Sequence, residues 1–116
     1  MFEKIGIGVD IIDISRFKNK SFVSNKIFYK KIFHDSEINY CLNFKNSSQH
    51  FAGKFAIKEA VIKSLDVKID FLDILTNHKN SKPTVKLINN STYRFLVTVT
   101  HGESQAVAVV LSEKTK

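Results

Sequence analysis

The first strand of this chain constrains the fold more than any other segment, because its two faces differ sharply. Residues 5–13 read IGIGVDIID, and successive side chains of a strand point to opposite faces of a sheet. One face carries Ile5, Ile7, Val9 and Ile11. The other face carries Gly6, Gly8, Asp10 and Ile12. The apolar face is therefore expected to pack on the core, and the two glycines leave the opposite face bare.

Asp10 stands beside that bare backbone and needs a partner. A glycine inside a strand often marks the close approach of another group. The space beside Asp10 therefore suits a ligand, a metal ion or a closely packed helix. An unpaired buried carboxylate is costly, so we expect another part of the site to compensate its charge.

Length and composition indicate one globular domain, residues 1–116. The chain has 116 residues and 43% apolar content, which is ordinary for a single domain. Its one cysteine, Cys41, excludes an internal disulfide and fits a reducing compartment. Charged residues interrupt the N-terminal apolar stretch, and no apolar run approaches membrane-spanning length. We expect a cytoplasmic protein with no membrane partner.

The net charge of +7 indicates acidic partners. A polyphosphate ligand, an acidic protein and a nucleic acid all qualify. The 16 lysines against 2 arginines accompany many Asn and Ile residues, a bias that genome composition also produces. Charge alone therefore does not predict nucleic-acid binding.

The order of the predicted elements indicates an α+β fold. A strand over residues 3–13 precedes several short helices and a long helix from Ser48 to about Leu65. Strand-like segments follow at residues 70–76, 83–88, 93–100 and 104–111. The Asn-Asn-Ser turn at residues 89–91 joins the second and third of them. One strand, then helices, then a run of strands favours a mostly antiparallel sheet.

The long helix is predicted to lie at the centre of the fold. At about 100° per residue, one side carries Phe51, Phe55, Ile62 and Leu65. Ile57 and Val61 form a second apolar arc, and the third arc carries Ala52, Ala56, Glu59, Ala60 and Lys63. A helix that is apolar nearly all round is a buried one. Its charged pair stands among alanines, as Asp10 stands among glycines.

These charges allow two interpretations. Glu59 and Lys63, at i and i+4, suit an ordinary helix ion pair, and Asp10 suits a hydrogen bond to backbone. Together the three residues suit a site in which two carboxylates hold Mg²⁺ on bound phosphates. Mg²⁺ usually takes only one or two protein carboxylates, and a lysine neutralises the remaining phosphate charge.

Other chemistries fit the sequence less well. Gly6-x-Gly8 lacks the third glycine of a dinucleotide fingerprint. One cysteine and four dispersed histidines argue against zinc. Cys41 lies on an apolar helix pattern and is expected in the core. His101 ends the strand FLVTVTH, where it is either a site residue or a surface histidine.

Three segments resemble those of a known family. GIGVDIIDISRF, FAGKFAIKEAVIKSL and TVTHGESQAVAVVL are similar to the signature segments of the holo-acyl carrier protein synthases, of the 4'-phosphopantetheinyl transferase superfamily. The resemblance covers nearly the whole chain. It implies transfer of 4'-phosphopantetheine from coenzyme A to a serine of apo-acyl carrier protein, supporting fatty acid biosynthesis. It also implies the small α+β fold of that superfamily and a homotrimer with active sites between subunits.

The resemblance implies roles for individual residues. Asp10 and Glu59 would hold Mg²⁺ on the coenzyme A diphosphate, and the catalytic residues would be Glu59 and Lys63. The coenzyme A site would take Lys54, Lys63, His101 and Pro83.

The same resemblance assigns carrier-protein docking to Arg16, on the helix after the first strand. Several lysines follow it closely in sequence, so we predict a basic docking surface with Phe17 or Phe22 as its apolar anchor. The residues predicted for this surface, besides Phe22, are Arg16, Lys20 and Lys26.

Two alternatives remain open at this stage. A small basic nucleic-acid-binding module is supported by the charge and by the aromatic-basic stretch KIFYKKIF. Against it, no nucleic-acid motif is present and the phenylalanines are spaced for a core. A catalytically inactive relative is the other alternative, because LDVKIDF after the long helix lacks the glycines that relatives often carry there. We predict the enzyme, with no nucleic-acid partner.

The last two predicted strands are apolar on both faces. Leu96 opposes Phe95 and Val97, while Val107 and Val109 oppose Ala108 and Val110. One face can pack beneath the long helix, and a chain this small has little left to cover the other. An exposed apolar sheet face is a liability, so we expect it to be buried against copies of the chain.

Overall fold

The predicted order of elements is confirmed by the fold. The computed structural model describes residues 2–115. The first half contains β1 (Ile5–Asp13), α1 (Ser15–Lys18), α2 (Lys26–Lys30), α3 (Asp35–Leu42) and α4 (Ser47–Ser64). The second half contains a 3-10 helix (Phe71–Asp73), β2 (Ile74–Lys79), β3 (Lys82–Leu87), β4 (Tyr93–His101) and β5 (Gln105–Lys114).

The strands form two antiparallel groups. A three-stranded sheet has the order β1-β5-β4, and β2 and β3 form a separate hairpin. The N-terminal strand thus pairs with the last strand of the chain, which makes β1 and β4 the two edges of the sheet. The α+β class and the mostly antiparallel pairing are as predicted.

One predicted strand is partly wrong. Residues 71–73 of the segment 70–76 form the 3-10 helix, and β2 begins only at Ile74. The cause is local, because the Asp73 carboxylate accepts a hydrogen bond from the Asp70 backbone N–H at 2.8 Å and closes a capping box. The tight turn that follows β2 lies at Asn80 and Ser81, whose φ angles are 52° and 67°.

Helix α4 is the centre of the fold, as its apolar pattern predicted. Eleven of its residues are buried: Phe51, Ala52, Gly53, Lys54, Phe55, Ala56, Ile57, Lys58, Ala60, Val61 and Ser64. It lies across the inner face of the three-stranded sheet and contacts β1 and β5 most extensively. The helix thereby carries the predicted site residues Glu59 and Lys63 up to the strand that holds Asp10.

The prediction for the faces of β1 is wrong. Its glycine face packs on the core, and its isoleucine face is exposed. A Cβ on Gly6 would lie 1.8 Å from the Ser64 carbonyl oxygen, and one on Gly8 would lie 1.9 Å from that of Ala60. The glycines are therefore needed because the α4 backbone touches the strand. The space that they leave is filled by the helix rather than by a metal ion and diphosphate.

The outer face of the sheet is apolar and exposed, and we call it the outer sheet face. Its most exposed members are Leu96, at 74%, and Ile7, at 66%. Its other exposed apolar members are Ile5, Val9, Ile11, Val109 and Leu111. The strand register places these side chains side by side across β1, β5 and β4. The expectation of two apolar sheet faces is therefore met.

An aromatic cluster holds the short helices against α4. Phe17 is 2% exposed and lies among the rings of Phe28, Tyr29, Phe33, Phe51 and Phe55. This burial rules out Phe17 as a docking anchor for a partner. Cys41 is also buried, as predicted, and burial raises the pKa of its thiol to about 12. Within residues 2–115, no helix is both long enough and apolar enough to cross a membrane.

Candidate active site

Asp10 faces α4 and meets Lys63 there. The Lys63 ammonium donates hydrogen bonds to Asp10 Oδ1 at 2.7 Å and to the Val9 carbonyl oxygen at 3.2 Å. The partner of Lys63 is therefore on β1, and the simple Glu59–Lys63 helix pair is not what forms. The hydrogen bond and charge of Asp10 raise the pKa of Lys63, so this lysine stays protonated.

The second oxygen of Asp10 is left without a partner. Asp10 Oδ2 is buried and accepts no hydrogen bond from any residue in the range 2–115. Burial raises the pKa of the neighbouring Glu59 carboxyl, and the charge of Asp10 raises it further against the opposing effects of Lys63 and Arg16. Asp10 thus stands close enough to Glu59 for its charge to disfavour the ionised form of Glu59.

This pair suits a hard divalent cation. A cation between Asp10 and Glu59 would relieve their repulsion and satisfy the free oxygen. The described residues contain no group of three or more His, Cys, Asp or Glu side chains that could hold a metal ion. Two carboxylates are a donor set that can hold Mg²⁺, because this ion takes one or two protein carboxylates and completes its octahedron with water and substrate phosphates.

A separate pocket of about 580 Å³ lies on the other side of α4, and we call it the histidine pocket. It unites three residues of the predicted coenzyme A site: Lys54 from α4, Pro83 from β3 and His101 at the end of β4. Lys63, predicted for the same site, lies with Asp10 instead. Sequence reasoning missed four further lining residues: Tyr40, Phe44, His50 and His78.

Lys54 is held in the wall of this pocket. It is only 5% exposed, its ammonium donates to Thr76 Oγ1 at 3.0 Å, and it lies 4.8 Å from the centre of the Tyr40 ring. Burial lowers the pKa of Lys54, and the nearby Glu37 opposes that shift. Among residues 2–115, Lys54 forms no direct ion pair with a carboxylate.

A buried ion pair supports both sites and was also missed. The Lys58 ammonium donates to Glu37 Oε1 at 2.8 Å, and both side chains are fully buried. Glu37 also accepts hydrogen bonds from the backbone N–H groups of His34 and Thr76, at 2.7 and 2.8 Å. Glu37 lies in the first turn of α3, a position that many solvent-exposed glutamates share, so nothing in the sequence indicates its burial.

The predicted docking residues lie on the first two helices and the loop between them. The Arg16 guanidinium stacks 4.9 Å from the Phe55 ring centre. The ammonium groups of Lys20 and Lys26 lie 4.3 and 6.0 Å from the ring centres of Phe28 and Phe22.

The apolar members of this surface differ from the prediction. Phe22 is half-buried, whereas Val23 and Ile27 are 79% and 76% exposed. Val23 and Ile27 are β-branched apolar residues, and nothing in the sequence around them indicates that they are exposed rather than buried.

Comparison with known proteins identifies a family. The sequence model of the 4'-phosphopantetheinyl transferase superfamily matches residues 6–110. The chain is 37% identical to the holo-[acyl-carrier-protein] synthase of Clostridium perfringens, over 94% of this chain and 93% of that protein. It is 34% identical to the protein of the same name from a Geobacter species, over 94% and 98%.

Solved structures agree with this assignment. A holo-(acyl-carrier-protein) synthase from Bacillus anthracis, solved in complex with CoA (3',5'-ADP), superposes with a TM-score of 0.80 at 28% identity, over 96% of this chain and 98% of that one. The Helicobacter pylori enzyme in complex with coenzyme A superposes with a TM-score of 0.78 at 30% identity, over 90% and 96%.

Proposed function

The chain belongs to the 4'-phosphopantetheinyl transferase superfamily as a holo-[acyl-carrier-protein] synthase, and from this premise we propose a Mg²⁺-dependent reaction for it. The enzyme transfers 4'-phosphopantetheine from coenzyme A to a serine of apo-acyl carrier protein. The observation that carries the proposal is the free, buried Oδ2 of Asp10 beside Glu59 and Lys63.

Asp10 and Glu59 are the proposed metal ligands. A bound Mg²⁺ supplies charge stabilisation on the diphosphate of coenzyme A and lowers the cost of releasing adenosine 3',5'-bisphosphate. Lys63 adds a protonated donor beside Asp10, so it can neutralise a further phosphate oxygen.

Glu59 is also the proposed proton acceptor. The serine oxygen attacks the β-phosphorus, the bond to the bisphosphate breaks, and the serine proton has to leave. Glu59 is the candidate acceptor because its carboxylate lies in the site beside Asp10 and Lys63 and can take the proton directly or through a water molecule.

The histidine pocket is the proposed coenzyme A site. Lys54 and His101 supply positive charge or hydrogen bonds to phosphates, and Pro83 forms part of the wall. The holo-carrier product serves fatty acid biosynthesis. The buried free thiol of Cys41 is consistent with a reaction in the cytoplasm.

Intact-mass analysis tests the function directly. Apo-carrier protein, coenzyme A and Mg²⁺ are incubated with the enzyme, and the carrier mass should increase by one phosphopantetheine group. The same mixture with excess chelator should react far more slowly. No adduct at any Mg²⁺ concentration would support the inactive relative instead.

We further propose that the carrier docks on the basic surface of the first two helices. Acyl carrier proteins are acidic, and this surface presents Arg16, Lys20 and Lys26 around Phe22. Arg16→Glu is expected to raise the KM for the carrier about tenfold or more, because the substitution replaces an attractive docking charge by a repulsive one. The KM for coenzyme A should change little.

Added salt should raise the carrier KM of the unmodified enzyme in the same direction. Lys114→Glu is the matched control, because it reverses an exposed lysine at the end of β5. Equal increases in both KM values would indicate general damage rather than a docking role.

We propose that the enzyme is a homotrimer with active sites completed between subunits. The outer sheet face offers an apolar surface for identical copies. Asp10 and His101 lie on opposite edge strands of the sheet, with β5 between them. Sedimentation should give a trimer at micromolar concentration. Co-refolded Asp10→Ala and His101→Ala chains should regain part of the activity that each lacks alone.

A further inference from the structure

Four lining residues of the histidine pocket have no assigned role, and they form two stacked pairs. The Tyr40 and His78 rings are 4.4 Å apart with an interplanar angle of 20°, and Phe44 and His50 are 3.8 Å apart at 20°. His101 lies 6.3 Å from His50, measured between ring centroids. The pocket therefore gathers three imidazoles from α4, β2 and β4.

The charge around these imidazoles is positive. The titratable side chains that line the pocket are Tyr40 from α3, Lys54 from α4 and the three histidines. Asn77 and Ser81 are neutral, and Glu37 reaches Lys54 only through the Thr76 hydroxyl. Burial lowers the pKa of His50 and of His78, and the positive charge of Lys54 lowers both further. Both rings are thus neutral near pH 7 in the free enzyme.

His78 is incompletely satisfied. Its Nε2 lies 3.3 Å from the Tyr40 hydroxyl, whereas its Nδ1 is buried without a hydrogen-bond partner among residues 2–115. A buried ring nitrogen that lacks a partner costs free energy unless a ligand supplies one.

We propose that His50 and His78 are further anion-binding residues of this pocket, and that they take up protons when the phosphates of coenzyme A bind. The proposal rests on the proposed function, since coenzyme A is the ligand. A phosphate placed among Lys54, His101 and the two rings reverses the local charge. The neutral imidazoles, which bear one N–H each, then become imidazolium ions with two donors, and the added protons come from solvent.

Proton uptake makes the affinity depend on pH with a defined sign. The free enzyme disfavours protonated His50 and His78, and the complex favours them, so binding strengthens as pH falls. If binding raises the pKa of one ring by one unit, coenzyme A binds up to about tenfold more tightly at low pH. Coenzyme A should therefore bind more tightly at pH 6 than at pH 8, by up to about tenfold for each unit of pKa change in one ring.

Titration calorimetry of coenzyme A tests the proposal. Measurements at pH 7 with a chelator present, in buffers of different ionisation enthalpy, give the number of protons taken up. The unmodified enzyme should take up more protons than the double variant His50→Phe/His78→Gln, in which the aromatic stack and a polar side chain are kept. Titration of the ligand's own phosphate is common to both proteins and cancels in the difference.

His34→Asn is the matched control. His34 also has a buried ring nitrogen without a partner, but it lies at the start of α3 and does not line the pocket. Asparagine is a good residue for a helix start. This variant should take up as many protons as the unmodified enzyme.

A second measurement needs no variant. Histidine ring resonances of the unmodified enzyme, followed by NMR across pH with and without coenzyme A, should show two rings whose titration moves to higher pH on binding. If coenzyme A binds with equal proton uptake in all three proteins and no ring titration moves, the proposal is wrong while the proposed function stands. If coenzyme A does not bind the unmodified enzyme even in a further titration with Mg²⁺ in place of the chelator, the proposed function itself fails.

Discussion

Asp10→Asn is expected to remove nearly all transfer activity and to leave the fold intact. Asparagine keeps the shape of the side chain but loses the charge that compensates a cation. Loss of one preorganised electrostatic group typically costs about two to three orders of magnitude in rate, and Glu59→Gln should have a similar effect. Asp10→Asn removes both the repulsion of Glu59 and the ion pair with the half-exposed Lys63, two effects that oppose each other, so the melting temperature should change little.

Initial rates from intact-mass analysis over a range of Mg²⁺ concentrations measure this loss. Asp13→Asn is the control, because Asp13 lies three residues further along β1 on the exposed face and contacts the Gln105 side chain at 3.2 Å. That variant should keep near-normal rates. Near-normal activity of Asp10→Asn at limiting Mg²⁺ would contradict the assignment of a shared metal.

Glu37→Ala should be the most destabilising single substitution in the buried polar network. It leaves the Lys58 ammonium fully buried with only the Ile32 and Phe71 carbonyl oxygens as partners, at 2.8 and 3.1 Å. Breaking a buried pair on one side typically costs about 3–5 kcal/mol. That is a large part of the roughly 5–15 kcal/mol by which a domain is stable. Urea unfolding followed by circular dichroism measures the change.

A variant of a surface ion pair shows how much of this loss of stability comes from burial rather than from the loss of a charge. Glu113→Gln breaks the Arg94–Glu113 pair, whose side chains are 75% and 42% exposed, and should cost less than about 1 kcal/mol. Replacing both members of the buried pair, as Glu37→Leu/Lys58→Met, should recover much of the loss, because no charge then stays buried. If Glu37→Ala and Glu113→Gln lowered the free energy of unfolding by the same amount, the buried pair would stabilise the fold no more than the surface pair does.

The same pair gives stability a defined dependence on pH. Burial alone would raise the pKa of Glu37, but the Lys58 charge and the hydrogen bonds from Lys58, Thr76 and His34 more than offset it and hold the pKa below its ordinary value of 4.5. Protonation is therefore harder in the folded state. The stabilisation is complete above pH 4.5 and is lost as pH falls through the lower folded value.

The sequence predicted the elements better than their orientation. The alternation in β1 was correct, but it is equally compatible with either face packing on the core. The deciding contact is between the glycines and the carbonyl oxygens of Ala60 and Ser64, which belong to a distant segment. Hydrophobicity favoured the isoleucine face, and that face is the exposed one.

The candidate site was predictable where residue type and local pattern agreed. Asp10 and Glu59 are carboxylates among small residues, and although each alone has an ordinary explanation, the two together indicated a site. His50 and His78 did not stand out, because their role depends on three elements meeting at one pocket. Glu37 and Lys58 are separated by 21 positions, and nothing local marks them as partners.

The packing of β1 has a consequence for how the chain folds. The strand pairs with β5 along its whole length, from Ile5 opposite Glu113 to Asp13 opposite Gln105. A slip of one residue would turn every β1 side chain to the other side. Isoleucine or valine would then meet helix carbonyl oxygens at a place where even one added carbon would stand 1.8–1.9 Å away. A slipped strand cannot dock α4, so the glycines reject misregistered chains during folding, before any substrate is bound.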